Sequence, residues 1–222
     1  MLALLQHLLI GSNREIEKKK SMSTDYEQEL LLAISQRKNY DVPFLDIVSA
    51  FDKKLECFNP IKKSFEIEKY FGHGKGFASV KKELLQDNLI DDDWLTERRT
   101  KKGKIKHDFK GLYVFMSGEE PVYVGISQGV ISRIIQHLKG HSHYTSTLAY
   151  NIALIRYKMH EGKGYNGTRD NFPFKMHVGP TKEFLRKLRV AFLPVKSSEE
   201  LYLFEVFCAM KWQCWLNNFD TH

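Results

Sequence analysis

Two tyrosines, Tyr113 and Tyr123, stand in short apolar runs, GLYVF and PVYVGIS. Val, Tyr and Ile favour strands, and the SGEEP turn between the runs predicts a β-hairpin. Arg133 and His137 follow in VISRIIQHL, where the spacing of the isoleucines predicts a helix. Because they are four residues apart, both side chains would lie on one face of that helix. The planar donors of an arginine match the oxygens of a phosphate.

A carboxylate, Glu205, stands in the apolar stretch LYLFEVFCAMKW of a helix predicted to begin at Ser197 or Ser198. A charged group in such surroundings needs a partner or a metal ion. Asn217, or its neighbour Asn218, lies near the end of the same helix. Each of these residues alone also fits a structural role, since tyrosine is common in strands and amphipathic helices carry surface arginines and histidines.

Taken in order, GLY at 111–113, YVG at 123–125, Arg133, His137, Glu205 and Asn217 resemble the motifs of the GIY-YIG endonuclease superfamily. This superfamily includes the nuclease domain of bacterial excision repair, some homing endonucleases and some restriction enzymes. The resemblance covers residues 109–219, and the predicted order of hairpin, helix, helix, strand and helix agrees with it. It implies an α+β nuclease domain with a small central β-sheet flanked by helices.

The resemblance also implies a divalent cation. Glu205 would bind Mg²⁺ or Mn²⁺, since one carboxylate plus waters suits a cation that keeps much of its hydration shell. Arg133 would contact the scissile phosphate. His141 and His143 have a His-x-His spacing, but no second pair accompanies them, so zinc is the less favoured reading; one of the two could instead touch the site.

The other site residues have implied roles as well. Tyr113 would orient or deprotonate the attacking water, and as a base it would need a pKa lowered by nearby positive charge. Tyr123 would hold the substrate or the water by a hydrogen bond. His137 would orient Tyr113 or shuttle a proton. Asn217 would fix the end of the late helix and position the phosphate.

Positive charge is concentrated in the second half of the chain. Residues 101–222 contain 18 Lys and Arg against 10 Asp and Glu, a net charge of +8, whereas residues 1–100 have a net charge of −1. A basic half attracts polyanions, and nucleic acid is the first partner to consider. The candidate DNA-contacting residues are Lys110, Gly125, Lys139, Lys163 and Arg169, the last two in the loop GKGYNGTRDNF.

The 222 residues are enough for one large domain or two small ones. Residues 1–100 are predicted to be mostly helical, an accessory, DNA-recognition or dimerisation region. Helices are predicted in 23–38, 42–58 and 58–71, and 77–95 is predicted to be a fourth helix followed by an acidic turn. Residues 97–110 are predicted to be a charged linker. Residues 101–222 form the predicted nuclease domain.

Three cysteines without paired spacing argue against a disulfide framework and favour the reducing cytoplasm. The apolar run LALLQHLLI is too short for a membrane span, which needs about 20 residues. The run NREIEKKKSMSTDYEQ resembles a junction between two separate segments, so Met22 is an alternative to Met1 as the natural first residue.

The sequence therefore predicts a metal-dependent DNA endonuclease, a possible homodimer. We expect no DNA-binding domain to follow Asn217, and this expectation favours a prokaryotic restriction or anti-phage role. Two alternatives stay open: a structure-specific repair nuclease that acts with a partner, and a nucleic-acid-binding module that lacks cleavage. The recognised sequence and the choice between DNA and RNA stay open as well.

Overall fold

The computed structural model describes residues 28, 44–99, 103–217 and 219. Of the helix predicted over 23–38, the structure describes residue 28, which is helical; the other residues of that range lie outside the described residues. A compact unit extends from Leu45 to His222. Within it, the segment 45–99, which the sequence grouped with the N-terminal region, contributes one strand to the central sheet and helices to the layers on both of its faces. None of the described helices is both long and apolar enough to cross a bilayer.

The described helices and strands follow one another in an α+β order. The helices are α1 (Phe44–Cys57), α2 (Pro60–Lys63), α3 (Ile67–Phe71), α4 (Phe77–Gln86), α5 (Val130–Lys139), α6 (Thr147–Glu161), α7 (Phe174–Arg186) and α8 (Ser198–Lys211). The strands are β1 (Phe65–Glu66), β2 (Thr96–Arg99), β3 (Ile105–Asp108), β4 (Gly111–Ser117), β5 (Glu120–Ser127) and β6 (Arg189–Pro194). The predicted α+β class is confirmed.

Four strands form an antiparallel sheet in the order β1, β6, β4, β5. The hairpin predicted around SGEEP is present as β4 and β5, and Gly118 in its turn has φ +61°, a left-handed conformation that favours glycine. Because β4 is central and covered on both faces, all but its last residue are buried. The strand β5 is the outer strand on its side of the sheet.

Alternation along β4 divides the core into two layers. Leu112, Val114 and Met116 face α1 and α8, where the rings of Phe51 and Phe204 lie 4.7 Å apart. Tyr113 and Phe115 face the other layer, which includes α3 to α7. Helix α5 buries the apolar face expected from the sequence, with Ile131, Ile134 and Leu138 inside. Ser197 is the N-cap of α8, because its Oγ accepts a hydrogen bond from Glu200 N at 3.1 Å.

Two local predictions are wrong. Residues 97–110 are not a linker, because β2 and β3 pair as an antiparallel two-stranded sheet. Residues 58–71 are not one helix, because Phe65 and Glu66 pair with Val190 and Arg189 of β6. In both places, pairing with a partner strand outweighs the local pattern of charges or apolar residues.

Helix α5 begins against a buried carboxylate that local patterns do not reveal. Asp108, at the end of β3, accepts hydrogen bonds from the backbone amides of Phe109, Ile131 and Ser132 at 2.9, 3.1 and 3.0 Å. Its exposure is 1%. A negative charge is stabilised at a helix N-terminus, and here it satisfies amides that the helix itself leaves free. Asp108 therefore fixes the start of the helix that carries Arg133 and His137.

We predict that Asp108→Ala lowers the free energy of unfolding by about 2–3 kcal/mol, because buried amides lose a charged acceptor. Urea unfolding checks this value, with Asp93→Ala, which removes an exposed carboxylate, as the control. Equal stability of the two variants would contradict the capping role.

Candidate active site

The two tyrosines lie side by side on the face of the sheet that α5 covers. Their ring centroids are 6.1 Å apart. Tyr113 pairs across the strands with Gly125. A Cβ placed on Gly125 would lie 2.4 Å from the Tyr113 hydroxyl, so the ring of Tyr113 occupies the space that a side chain would need. Gly125 was predicted to contact DNA; in the structure its close neighbour is Tyr113.

His137 is hydrogen bonded to Tyr113, with 2.8 Å between its Nε2 and the tyrosine oxygen. Burial lowers the pKa of His137 well below its ordinary value, and the charge of Arg133 lowers it further, so the ring is neutral at pH 7. Its Nδ1 has no partner among the described residues. An unpaired buried N–H costs more than an unpaired lone pair, so we place the proton on Nε2, which then donates to Tyr113.

Burial also determines the state of the tyrosines. It raises the pKa of Tyr113 well above its ordinary value and also raises the pKa of Tyr123, on which the charge of Glu205 acts in the same direction. Arg133 opposes both shifts. In this structure the two phenols are therefore protonated near neutral pH, which favours an orienting role for Tyr113 over a role as a base.

Arg133 lies on α5 between these groups and solvent. Its charge acts on the pKa values of Tyr113, Tyr123 and His137. The side chain is half-buried. Its Nη1 makes two long contacts, 3.4 Å each, with Gln136 Oε1 and the carbonyl oxygen of Thr145. These two contacts are long and weak, but a side-chain hydrogen bond with Tyr113 also holds the guanidinium beside the tyrosine pair.

Glu205, on α8, lies close to the same tyrosine pair. Burial raises the pKa of its carboxyl from 4.5 to about 7, and a hydrogen bond from the backbone of Ile126 in β5 partly offsets this rise. The negative charge of Glu205 acts on Tyr123. The carboxylate therefore lies at the outer edge of β5, close to the tyrosine pair.

The side chain of Asn217 is hydrogen bonded to the outer edge of β5. Its Oδ1 accepts from Val124 N at 2.8 Å and its Nδ2 donates to Val124 O at 2.7 Å, as a neighbouring strand would do. The amide of Leu216 donates to Val122 O at 3.0 Å. These hydrogen bonds fix the segment after α8 to β5. Asn218 lies outside the described residues.

The donor set suits one hard divalent cation. Glu205 offers carboxylate oxygens in a partly buried position, and Mg²⁺ commonly binds through one or two carboxylates and several waters. No group of three or more His, Cys, Asp and Glu side chains is present among the described residues. His143 is buried, with Nε2 3.6 Å from Asp170 Oδ1, whereas His141 is exposed.

The residues predicted to contact DNA lie in different settings. Lys110 Nζ is 3.3 Å from Ser198 Oγ, and Lys139 Nζ donates to the carbonyl oxygen of Lys75 at 2.5 Å. Lys163 and Arg169 are both exposed, in the segment between α6 and α7. Phe172 holds that segment, with its ring 5.1 Å from Tyr150, 5.0 Å from Tyr165 and 5.6 Å from His177. The predicted loop is therefore packed at its end and basic at its surface.

Comparison with known proteins finds no match. This holds for protein-family models, for curated proteins and for solved structures. The function must therefore be argued from the residues and their geometry.

We predict that Glu205→Gln changes how stability depends on pH. The folded-state pKa of about 7 lies above the unfolded value of 4.5. The stability that protonated Glu205 contributes is therefore fully present below pH 4.5 and is lost as pH rises to 7 and above. At pH 8 the variant should be more stable than the wild type by about 1–3 kcal/mol, and at pH 5 by much less.

Urea unfolding at both pH values measures this difference, with Glu119→Gln, a change in the exposed hairpin turn, as the control. Addition of Mg²⁺ at pH 8 should stabilise the wild type and leave the Glu205→Gln variant unchanged. A difference between wild type and variant that is the same at both pH values would contradict the assignment.

Proposed function

We propose that this protein is a metal-dependent endonuclease of the GIY-YIG type that hydrolyses phosphodiester bonds in DNA. The observation that supports the proposal most strongly is the convergence of five side chains from four elements: Tyr113 of β4, Tyr123 of β5, Arg133 and His137 of α5, and Glu205 of α8. A structural tyrosine pair would not need an arginine hydrogen bonded to it on one side and a partly buried carboxylate on the other.

The arrangement supplies what phosphodiester hydrolysis requires. Arg133 would bind the non-bridging oxygens of the scissile phosphate through its planar donors. Tyr113, held by His137 at 2.8 Å, would hydrogen bond to the attacking water and orient it. Tyr123 would hold the substrate from the neighbouring strand.

Glu205 is the residue that would hold Mg²⁺ or Mn²⁺. When bound, such a cation supplies positive charge against the charge that develops on the phosphoryl and leaving oxygens. Binding of a cation would also favour the ionised form of Glu205, whose pKa is about 7 in the structure.

The proposed partner is DNA, supported by the net charge of +8 over residues 101–222. The proposed biological role is prokaryotic restriction or anti-phage defence. A monomer with one site of this kind would cut one strand, so cleavage of both strands would need a homodimer or two binding events.

Cleavage of supercoiled plasmid in the presence of Mg²⁺ tests the proposal. We predict that Tyr113→Phe and Glu205→Gln each lower the cleavage rate by about 10²-fold or more, because each removes a group aimed at the reacting atoms. The matched controls are Tyr202→Phe, an exposed hydroxyl on α8, and Glu119→Gln; both should cleave as the wild type does.

The products separate the possible roles. Discrete fragments from the wild type would support a sequence-specific restriction enzyme. Nicking or smearing with the same dependence on Tyr113 and Glu205 would support a nonspecific or structure-specific nuclease. DNA binding without metal-dependent cleavage of plasmid, branched DNA or RNA would contradict the proposal and leave a binding module.

A further inference from the structure

The turn between α5 and α6, residues 140–146, lies beside the arginine of the candidate active site, and we call it the Tyr144 turn. The Nη1 of Arg133 is 3.4 Å from the carbonyl oxygen of Thr145, the residue that follows Tyr144. The same guanidinium is hydrogen bonded to Tyr113. Arg133 therefore joins the tyrosine pair to the turn, and a phosphate bound by Arg133 would lie next to Tyr144.

Hydrogen bonds fix the backbone of this turn. The Oγ of Ser142 accepts from the amide of Thr145 at 3.3 Å, and Thr145 Oγ1 donates to the carbonyl oxygen of Ser142 at 3.1 Å. Ser146 Oγ donates to a carbonyl oxygen in the last turn of α5 at 2.7 Å. Lys182 of α7 donates to the carbonyl oxygen of Gly140. The turn is therefore ordered before a ligand binds, which lowers the entropy lost on binding.

This ordered turn presents an aromatic ring to solvent. Tyr144 is 73% exposed, whereas the neighbouring His143 is 8% exposed. The ring centroids of the two residues are 3.8 Å apart, and the ring of His143 lies 5.7 Å from that of the buried Tyr150. Single exposed aromatic rings are common on protein surfaces. This ring differs in its support by a buried histidine and in its place next to Arg133.

The surface around the Tyr144 turn is positively charged on balance. The segment between α6 and α7 lies beside the turn, because Asp170 Oδ1 is 3.6 Å from His143 Nε2. Arg169, in the same segment, is exposed, and its charge acts on the pKa of Tyr150, which burial raises. Residues 139–146 and 162–173 contain three Lys and Arg against one Asp, a net charge of +2. This balance favours the phosphates of a nucleic acid.

An exposed aromatic ring beside a phosphate site suits one form of nucleic acid best. Aromatic side chains stack on the faces of bases that are not paired, with little dependence on sequence. In a paired duplex those faces are covered by the neighbouring bases, and a protein ring reaches them only when a base leaves the stack. The Tyr144 turn therefore favours a strand with an unpaired base over a fully paired duplex.

We propose that Tyr144 stacks on an unpaired base next to the scissile phosphate, so that the site binds DNA with unpaired nucleotides at the point of cleavage. Arg133 holds the phosphate, Tyr144 holds the adjoining base, and Arg169 contacts the backbone beyond it. This inference rests on the proposed nuclease function and names the form of DNA that the site takes. A restriction role would then require the enzyme to unstack a base of its recognition sequence, which costs free energy.

The experiment compares the binding of two fluorescein-labelled DNA probes by fluorescence anisotropy in EDTA, where cleavage is not required. One probe is a fully paired duplex, and the other is the same duplex with a short bubble of mismatched thymines at its centre. The variants are Tyr144→Ala and Tyr144→Phe. The control is Tyr202→Ala, which removes a tyrosine ring that is 63% exposed on α8, in the layer on the opposite face of the sheet. Thermal unfolding shows that each variant is folded.

We expect the wild type to bind the bubble about tenfold more tightly than the paired duplex, because stacking on one base contributes a factor of about ten or more. Tyr144→Ala should bind the two probes within about twofold of each other. Tyr144→Phe keeps the ring and should keep the preference, as should Tyr202→Ala. Arg169→Gln should weaken the binding of both probes by a similar factor, because it removes a phosphate contact.

Equal binding of the two probes by the wild type would overturn the inference, and so would a Tyr144→Ala variant that keeps the preference for the bubble. A preference that depends on Tyr144 with single-stranded RNA, but not with the DNA bubble, would overturn the assignment to DNA.

Cleavage of plasmid by the wild type in the presence of Mg²⁺ separates this inference from the proposed function. If the wild type cleaves DNA but Tyr144→Ala keeps the preference, only the stacking inference fails. If the wild type binds the bubble through Tyr144 and cleaves neither probe nor plasmid, the nuclease proposal fails and the stacking surface is retained. If the wild type neither binds nor cleaves DNA, both proposals fail.

Discussion

The open edge of β5 is the constraint on which the site depends. An outer strand leaves alternate amide and carbonyl groups without a strand partner, and such groups need hydrogen bonds when they are not in water. Leu216 binds Val122, Asn217 binds both backbone groups of Val124, and Glu205 accepts from Ile126. The interactions that close the sheet therefore also bring Glu205 next to Tyr123.

Closing the edge in this way has an energetic cost at Glu205. Its carboxyl, with a pKa of about 7, is held where ionisation is unfavourable, although an apolar residue there would add stability. The same partial burial preserves the strength of its interaction with a cation or with developing charge. His137 is a second polar group kept at a cost, since it is buried beneath Tyr113 and its Nδ1 has no partner within the part of the chain that the structure describes. Costs of this kind concentrate at functional sites.

The sequence could predict those features whose cause is local. The hairpin around Gly118, the apolar face of α5 and the capping of α8 by Ser197 follow from short sequence patterns. The fold then brings together the two tyrosines, Arg133 and Glu205, which the sequence singled out. The capping role of Asp108 could not be predicted from the sequence, because it depends on amides more than 20 positions away in α5. The pairing of β1 with β6 joins residues even further apart. The β2–β3 pair is local, but its strands are mostly charged and exposed, so they lack the apolar alternation that predicts a strand.

Asn217 and Glu205 occupy the hydrogen-bonding edge of β5, and amide hydrogen exchange can measure this occupation residue by residue. The amide of Val124 should be protected in the wild type and should exchange about tenfold faster in Asn217→Ala, because it loses its acceptor. Glu205→Ala should have the same effect on the amide of Ile126, while the amide of Phe192 in β6 stays unchanged in both variants. Exchange of the Val124 amide in the wild type at the rate of an unpaired amide would show that Asn217 does not occupy this edge.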